Sequence, residues 1–219
     1  MPRKTSGHRG SGKTIIRVFC EGESEQAYTE FLKKHFSDVA VIKYPKETGL
    51  FEAAESRFTR DPQYRDYTDA IDEVWFFFDV ETKNADLWDQ RLEIIKKIRR
   101  LRKNPNMKVR LLMTTGCIEY WLMLHYKNYA PPIQTVAEKR RVINELVEIE
   151  PLYKKGDYNA VAKIAENYPM ALINAKATVH NLLEDGLPGE KETDERNEWL
   201  CKKCYTFSNV FEAIEFLQH

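Results

Sequence analysis

The chain has 219 residues, a length that suits one compact domain with an elaboration or two small domains. Hydrophobic residues make up 42% and aromatic residues 12%, which excludes a wholly disordered chain. The 34 lysines and arginines equal the 34 aspartates and glutamates, so the net charge is zero. This balance excludes a uniformly basic nucleic-acid-binding protein and an acidic tail protein, and it makes the positions of the charges more informative than their sum.

The apolar runs are too short to cross a bilayer, and the basic N-terminus is not followed by the apolar region of a signal peptide. We therefore expect a cytoplasmic protein without a signal or membrane anchor. Reduced thiols are the expectation for the cysteines of such a protein, which are Cys20, Cys117, Cys201 and Cys204.

Strand-like and helical patterns alternate over the first part of the chain. Short runs rich in β-branched and aromatic residues predict strands at residues 15–20, 39–42, 74–78 and 109–113. Apolar residues at helical spacing predict helices that begin near Ser24, a candidate N-cap, and that cover residues 85–103 and 118–126. Because strands and helices alternate, we predict an α/β fold with a mostly parallel sheet flanked by helices.

The strand patterns disappear after Pro131 and Pro132. Helical spacing then covers residues 137–150, 158–166, 170–183 and 210–217, whereas residues 183–198 have the composition of a loop. The prediction is therefore a basic flexible arm (residues 1–13), an α/β domain (residues 14–130) and a helical C-terminal extension packed on it (residues 131–219).

Residues 7–14 match the Walker A pattern of phosphate-binding loops letter for letter. A working loop of this kind follows a buried strand and opens a helix at its Lys-Thr pair. Here no apolar strand precedes the motif, and the residues after Thr14 favour a strand. We interpret the match as part of the basic arm, although Asp79 after an apolar strand could imitate a Walker B aspartate.

Carboxylates follow two of the predicted strands. Glu21 comes directly after the first strand, and Asp79 directly after the third, with Glu81 two residues further on. Because parallel strands end at the same edge of a sheet, Glu21 and Asp79 can approach each other there. Clustered carboxylates suit a hard divalent cation such as Mg²⁺, which polarises a phosphodiester and activates water. The alternative is that these acids are ordinary helix caps and first-turn charges.

Four segments carry longer motifs: IIRVFCEGESEQAYTEFL (residues 15–32), EVWFFFDVE (73–81), TTGCIEYWLMLHY (114–126) and the closing TFSNVFEAIEFL (206–217). Together they resemble the RloB family, whose fold is related to Toprim domains. The resemblance extends over most of the chain, with diverged stretches between the motifs. It implies a Toprim-like sheet and the use of Mg²⁺, or Mn²⁺, in nucleic-acid strand cleavage or transfer.

The resemblance also implies roles for individual residues. Glu21 matches the glutamate after the first Toprim strand, and Asp79 matches the first acid of the Asp-x-Asp pair. Glu81 matches the second acid of that pair, but as a glutamate, which keeps the charge and lengthens the reach. These three are the predicted catalytic and metal-binding residues. Glu25 and Glu119 match further acids of the family's motifs and are predicted to be auxiliary.

The hypothesis is thus a Mg²⁺-dependent Toprim-like nuclease of a prokaryotic phage-defence or abortive-infection system, acting on DNA or RNA. RloB proteins are linked to such loci, often beside an ABC-type or AAA-type ATPase, which becomes the expected partner. The alternative is a catalytically degenerate Toprim-like module that binds nucleic acid or a partner ATPase without cleavage. The glutamate at position 81 leaves this alternative open.

A basic segment is the candidate for nucleic-acid binding, and its cations are Lys96, Lys97, Arg99, Arg100, Arg102 and Lys103. Contacts of this kind with a phosphate backbone are blind to sequence and sensitive to salt. The alternative is a solvated helix end whose cations complement the helix dipole. The run Lys139-Arg140-Arg141 is a weaker basic cluster.

Two further motifs carry weaker signals. Cys201 and Cys204 form a single Cys-x-x-Cys without the second pair that tetrahedral zinc needs, so we interpret them as reduced thiols. His125 lies on an apolar predicted helix, which favours a core histidine over a general base.

Overall fold

The computed structural model describes residues 12–102 and 106–219. Its sheet has four parallel strands in the order β2-β1-β3-β4. They are β1 (Thr14–Cys20), β2 (Ala40–Lys43), β3 (Glu73–Val80) and β4 (Lys108–Thr115). Each observed strand lies within two residues of the predicted one, and the α/β fold with a parallel sheet is confirmed.

Helices connect the strands and continue beyond the sheet. Between the strands are α1 (Glu23–His35), α2 (Phe51–Arg60), the short α3 (Pro62–Arg65) and α4 (Trp88–Arg99), with 3₁₀ turns at Thr68–Ala70 and Thr82–Leu87. After the last strand come α5 (Ile118–Met123), α6 (Val136–Ile149), α7 (Tyr158–Ala165), α8 (Tyr168–Asn181), α9 (Asp194–Lys203) and α10 (Phe211–Gln218). The helical C-terminal part is therefore confirmed.

Strand β3 forms the centre of the core because helices cover both of its faces. On one face, the ring of Phe77 meets Tyr28 of α1 edge-on, with centroids 6.2 Å apart. On the other, Phe76 stacks on Phe51 of α2 at 4.2 Å. Successive side chains of a strand point to opposite faces, so a segment that is buried on both sides needs apolar residues at every position. This explains the unalternating run from Val74 to Phe78 within β3.

The strand order creates a topological switch point between β1 and β3. The chain runs from β1 outward to β2 and then returns to β3 on the other side of β1. The connections that leave the carboxyl ends of β1 and β3 therefore diverge to opposite faces of the sheet. A crevice opens between them, which is where open α/β sheets bind their ligands.

The C-terminal helices share one core with the sheet. Buried apolar residues form a single cluster that extends from Ile16 to Leu217. Tyr168, at the start of α8, packs against Phe31 and His35 of α1 at 6.4 and 5.2 Å between ring centroids. None of the helices in the described parts of the chain combines the length and the apolar character that crossing a membrane requires.

Two local predictions are wrong. Ser24 is not an N-cap, because α1 begins at Glu23 and the Ser24 hydroxyl instead accepts a hydrogen bond from the Gly156 amide at 2.9 Å. The end of the loop-like segment belongs to α9, whose N-cap Thr193 accepts a hydrogen bond from the Arg196 amide at 3.1 Å. The acidic residues there lie in the first turn, where they complement the helix dipole.

The Walker A match does not open a helix. Residues 7–11 lie outside the described part of the chain, as does most of the predicted basic arm, but Thr14 is the first residue of β1. The Lys-Thr pair thus leads into a strand, so this position does not offer the helix N-terminus that a phosphate-binding loop needs.

The cysteines and His125 belong to the core. All four cysteines are unpaired and buried. The Sγ of Cys201 contacts the Met113 sulfur at 3.5 Å, and the thiol of Cys204 donates to the Cys201 carbonyl at 3.1 Å. His125 is fully buried, with Nε2 3.2 Å from the Tyr28 hydroxyl and Nδ1 3.0 Å from the Trp121 carbonyl. The interpretation as a core histidine is confirmed.

Candidate functional site

Glu21 and Asp79 meet at the switch point. The Oε2 atom of Glu21 accepts a hydrogen bond from the backbone N–H of Asp79 at 2.9 Å. The backbone of Glu21 is held in turn, because its N–H donates to the carbonyl of Phe77 at 3.0 Å. The parallel ladder thus continues past the end of β1 and brings the two acidic residues into direct contact.

Glu25 joins them from the first turn of α1, with only 3% of the residue exposed. Gly22, between the strand and the helix, is extended with φ −141°. A Cβ at this position would stand 2.9 Å from the Oε2 atom of Glu25. A side chain at position 22 would therefore displace the Glu25 carboxylate, whereas the backbone angle itself does not require glycine.

Glu119 contributes a further buried carboxylate from the first turn of α5, after β4. Its Oε1 atom accepts a hydrogen bond from the Tyr153 hydroxyl at 2.9 Å. Its Oε2 atom, like the Oδ1 atom of Asp79, is buried and has no hydrogen-bond partner among the residues that the structure describes. Such atoms cost free energy unless a donor or a cation reaches them.

The carboxylates of this cluster, which comprises Glu21, Glu25, Asp79 and Glu119, repel one another. Burial raises the pKa of Asp79 well above its ordinary value, and the charges of Glu25, Glu21 and Glu119 raise it further. Burial also raises the pKa of Glu25 to about 7, with Glu21 and Glu119 adding to the effect. Lys155 offsets part of this charge, and its own pKa is raised, chiefly by Glu119. Burial and mutual repulsion therefore outweigh the charge of Lys155 and oppose the ionisation of Asp79 and Glu25.

Glu81 is engaged in a different contact. Its Oε1 atom pairs with Nζ of Lys139 from α6, and its Oε2 atom lies 2.5 Å from Nζ of Lys83. Burial alone would raise the pKa of Glu81, but the hydrogen bonds and charges of the two lysines outweigh it and lower the pKa. The structure therefore brings Glu25 and Glu119, the predicted auxiliary residues, close to Asp79. Glu81, a predicted metal ligand, forms ion pairs with Lys83 and Lys139 instead.

The carboxylate cluster has the oxygen donors that a hard divalent cation prefers. Within residues 12–102 and 106–219, no three His, Cys, Asp or Glu side chains are grouped closely enough to hold a metal ion as they stand. Even so, the cluster offers carboxylate oxygens only, and Asp79 and Glu119 each have one buried oxygen that no described residue contacts by a hydrogen bond. Mg²⁺ needs only one or two carboxylates, since waters and phosphate oxygens complete its coordination.

Several residues of this edge carried little sequence signal. Lys155 and Tyr153 lie between α6 and α7, in a segment far from the strand motifs. Lys139 belongs to the weaker of the basic clusters. Long-range contact, rather than any local pattern, makes these residues part of the site.

The basic segment of residues 96–103 lies at the opposite edge of the sheet. The carbonyl of Arg99 accepts a hydrogen bond from Met107 just before β4 begins, which places the end of α4 beside the amino ends of the strands. Most of its cations have acidic partners: Lys96 with Glu93, Lys97 with Glu55, Arg99 with Asp194 and Arg102 with Asp72. Lys103 lies outside the described residues. Nucleic-acid binding by this segment stays a prediction, and the fold separates it from the carboxylate cluster.

A cavity of about 1080 Å³ lies between α8 and α10, away from the carboxylate cluster. The side chains that line it include Arg110, which lies 3.0 Å from Glu192, and Lys176, which pairs with Glu215. Because these charges neutralise each other and none faces the switch point, we assign the site to the carboxylate cluster instead.

Comparison with known proteins agrees with the motifs of this edge. No curated protein matches the chain. The family model described as "RloB-like protein" matches residues 16–217, which includes every residue of the carboxylate cluster and nearly the whole chain. The chain therefore belongs to the RloB-like family.

Proposed function

We propose that this protein is a Mg²⁺- or Mn²⁺-dependent nuclease that hydrolyses phosphodiester bonds of nucleic acid. The observation that supports this most directly is the convergence of Glu21, Glu25, Asp79 and Glu119 at the switch point. Two buried carboxylate oxygens of this cluster have no hydrogen-bond partner within the described parts of the chain. A divalent cation satisfies such oxygens and removes the repulsion between the carboxylates.

The residues of the cluster would divide the chemistry among them. Asp79, with Glu25 and Glu119 beside it, would hold the metal, which supplies Lewis-acid polarisation of the phosphoryl oxygen and a more acidic water. Glu21 is exposed at the rim of the cluster and would accept a proton from the attacking water. The water oxygen bonds to phosphorus, the bond to the leaving sugar oxygen breaks, and a proton passes to that oxygen.

The biological setting of this proposal rests on the RloB family. We propose that the protein acts in the cytoplasm as part of a phage-defence system, together with an ABC-type or AAA-type ATPase encoded nearby. Co-purification with the product of a neighbouring ATPase gene tests the partnership, and a plaque assay with the wild-type and Asp79→Asn genes tests the role in defence.

The decisive experiment compares cleavage of DNA and RNA by the wild type, Glu21→Gln and Asp79→Asn with Mg²⁺ or Mn²⁺. We expect each variant to lose at least about 100-fold in rate, as general-base and electrostatic contributions usually amount to that much. Asp38→Asn is the matched control, because Asp38 is exposed between α1 and β2, at the opposite edge. Equal rates for all four proteins would contradict the proposal.

A second candidate function is binding without cleavage. It is favoured by the ion pairs of Glu81 with Lys139 and Lys83, which occupy the predicted second acid of the metal site. Calorimetric titration with Mn²⁺ separates the two functions. A nuclease binds the ion through Asp79, so Asp79→Asn abolishes the heat, whereas a degenerate module shows no Asp79-dependent heat and still binds an oligonucleotide.

A further inference from the structure

We propose that Lys83 and Lys139 bind the substrate phosphate at this site and that Glu81 is the counter-ion which they exchange for it. The inference rests on the proposed nuclease function and names the residues that would hold its nucleic-acid substrate. It assigns substrate binding to the carboxyl edge of the sheet instead of the basic segment of α4.

The first support is the geometry of the two ion pairs. Both oxygens of Glu81 are used, one by each lysine, so the carboxylate sits between two ammonium groups as a phosphate with two non-bridging oxygens would. Lys83 follows β3 in the 3₁₀ turn Thr82–Leu87, and Lys139 comes from α6. Two elements distant in sequence thus form one anion-binding pair.

The second support is the position of this pair beside the carboxylate cluster. Glu81 is two residues beyond Asp79, whose buried Oδ1 atom has no hydrogen-bond partner in residues 12–102 and 106–219. The pKa of Lys83 is raised chiefly by Glu81 and also by the charges of Glu21 and Asp79, in agreement with its place four residues beyond Asp79. A phosphate held by the lysines would therefore lie next to the proposed metal position.

The third support is that the lysines can exchange their partner. The side chain of Lys83 is 72% exposed, so its ion pair with Glu81 is screened by water and breaks readily. Lys139 and Glu81 are less exposed, at 22% and 18%. A phosphodiester replaces the carboxylate with another anion of the same charge. Release of Glu81 would then free its carboxylate at the moment when substrate arrives.

The test is binding of fluorescein-labelled single-stranded and double-stranded oligonucleotides, followed by anisotropy in EDTA over a series of salt concentrations. Without metal no cleavage occurs, so binding is measured alone. For Lys83→Ala/Lys139→Ala we expect a loss of affinity of about 10-fold or more, and a salt slope smaller by about two contacts. For Glu81→Gln we expect affinity to rise several-fold, because the lysines lose their internal competitor.

The matched control is Lys33→Ala/Lys34→Ala, which removes the same positive charge from exposed positions in the last turn of α1, a part of the chain that belongs to neither candidate binding surface. We expect it to keep near-wild-type affinity. Equal losses in the two double variants, unchanged or weaker binding by Glu81→Gln, or no binding by the wild type would each overturn the inference. Circular dichroism and thermal melts of every variant confirm that the compared proteins are folded.

The outcomes separate this inference from the nuclease proposal. The expected binding pattern without any metal-dependent cleavage would support the lysine pair and contradict the nuclease. The opposite result is cleavage that depends on Asp79, together with an oligonucleotide affinity that Lys83→Ala/Lys139→Ala leaves unchanged. It would support the nuclease and contradict phosphate binding by the lysine pair.

Discussion

The carboxylate of Glu21 accepts the backbone N–H of Asp79 at 2.9 Å, although 58 residues separate the two in the chain. This hydrogen bond couples the end of β1 to the end of β3. Glu21 therefore has a structural role in addition to its charge, because it holds the backbone from which the Asp79 carboxylate projects.

Substitutions of Glu21 should separate these two roles. Glu21→Gln keeps an oxygen acceptor for the Asp79 amide but removes the charge, so we expect lost activity with little change in stability. Glu21→Ala removes the charge and the hydrogen-bond acceptor. We therefore expect its free energy of unfolding to be about 1 kcal/mol lower than that of Glu21→Gln. Urea denaturation measures this difference. Glu23→Gln and Glu23→Ala, at the exposed first residue of α1, are the controls. Equal stability of the two Glu21 variants would contradict the structural role.

Asp79→Asn should stabilise the protein in the absence of metal. The pKa of Asp79 is raised by burial and by neighbouring carboxylates, so at pH 8 its ionised form opposes folding, and this cost disappears as the group is protonated at lower pH. We expect a gain of about 1 kcal/mol in EDTA at pH 8, in the range of typical stabilising substitutions. The gain should shrink as the pH falls. A less stable Asp79→Asn at pH 8 would show that the repulsion is relieved in another way.

Divalent cations should stabilise the wild type through the same residue. A ligand that binds only the folded state adds about 2.7 kcal/mol when its concentration is 100 times its Kd. We expect Mg²⁺ and Mn²⁺ to raise the melting temperature of the wild type and of Asp38→Asn, and to leave Asp79→Asn unchanged. Melting curves in EDTA and in each metal test this, and an equal rise in all three proteins would place the ion elsewhere.

His125 should make stability fall in mild acid. Burial lowers the pKa of His125 to about 4, below the ordinary value of 6.5. The contribution of the neutral His125 to the free energy of unfolding is therefore complete above pH 6.5. It is lost as the pH falls towards 4, and the total loss is on the order of 3 kcal/mol. The difference in unfolding free energy between wild type and His125→Gln should narrow over this range. A difference that stays constant from pH 7 to pH 4 would refute the assignment of this pH dependence to His125.

Gly116 should resist substitution more strongly than a glycine that only needs its backbone angle. It directly follows β4 with φ +78°, and an added Cβ would stand 2.7 Å from the carbonyl oxygen of Ile133. Gly186 has φ +94° with open space around it. Both alanine variants carry backbone strain, but Gly116→Ala adds overlap, so we expect it to cost at least about 1 kcal/mol more. Equal losses of unfolding free energy in Gly116→Ala and Gly186→Ala would mean that the turn before Glu119 can shift to relieve the overlap.

Local sequence was sufficient for the strands and for most of the helices. The run from Val74 to Phe78 identified a strand buried on both faces because no amphipathic alternation is needed where both sides are covered. Helix α9 was missed because its acidic first turn has the composition of a loop, and only the Thr193 cap distinguishes it.

The sequence by itself determined the parallel α/β sheet and the approach of Glu21 to Asp79, since side chains that follow parallel strands meet at one edge. It also showed that a net charge of zero leaves room for segregated charges. The tertiary structure alone decided which charges share a surface: it placed Lys139 and Lys155 at the carboxylate edge and the α4 cations at the other. Contacts between residues so distant in the chain depend on how helices pack on the sheet, which no local spacing encodes.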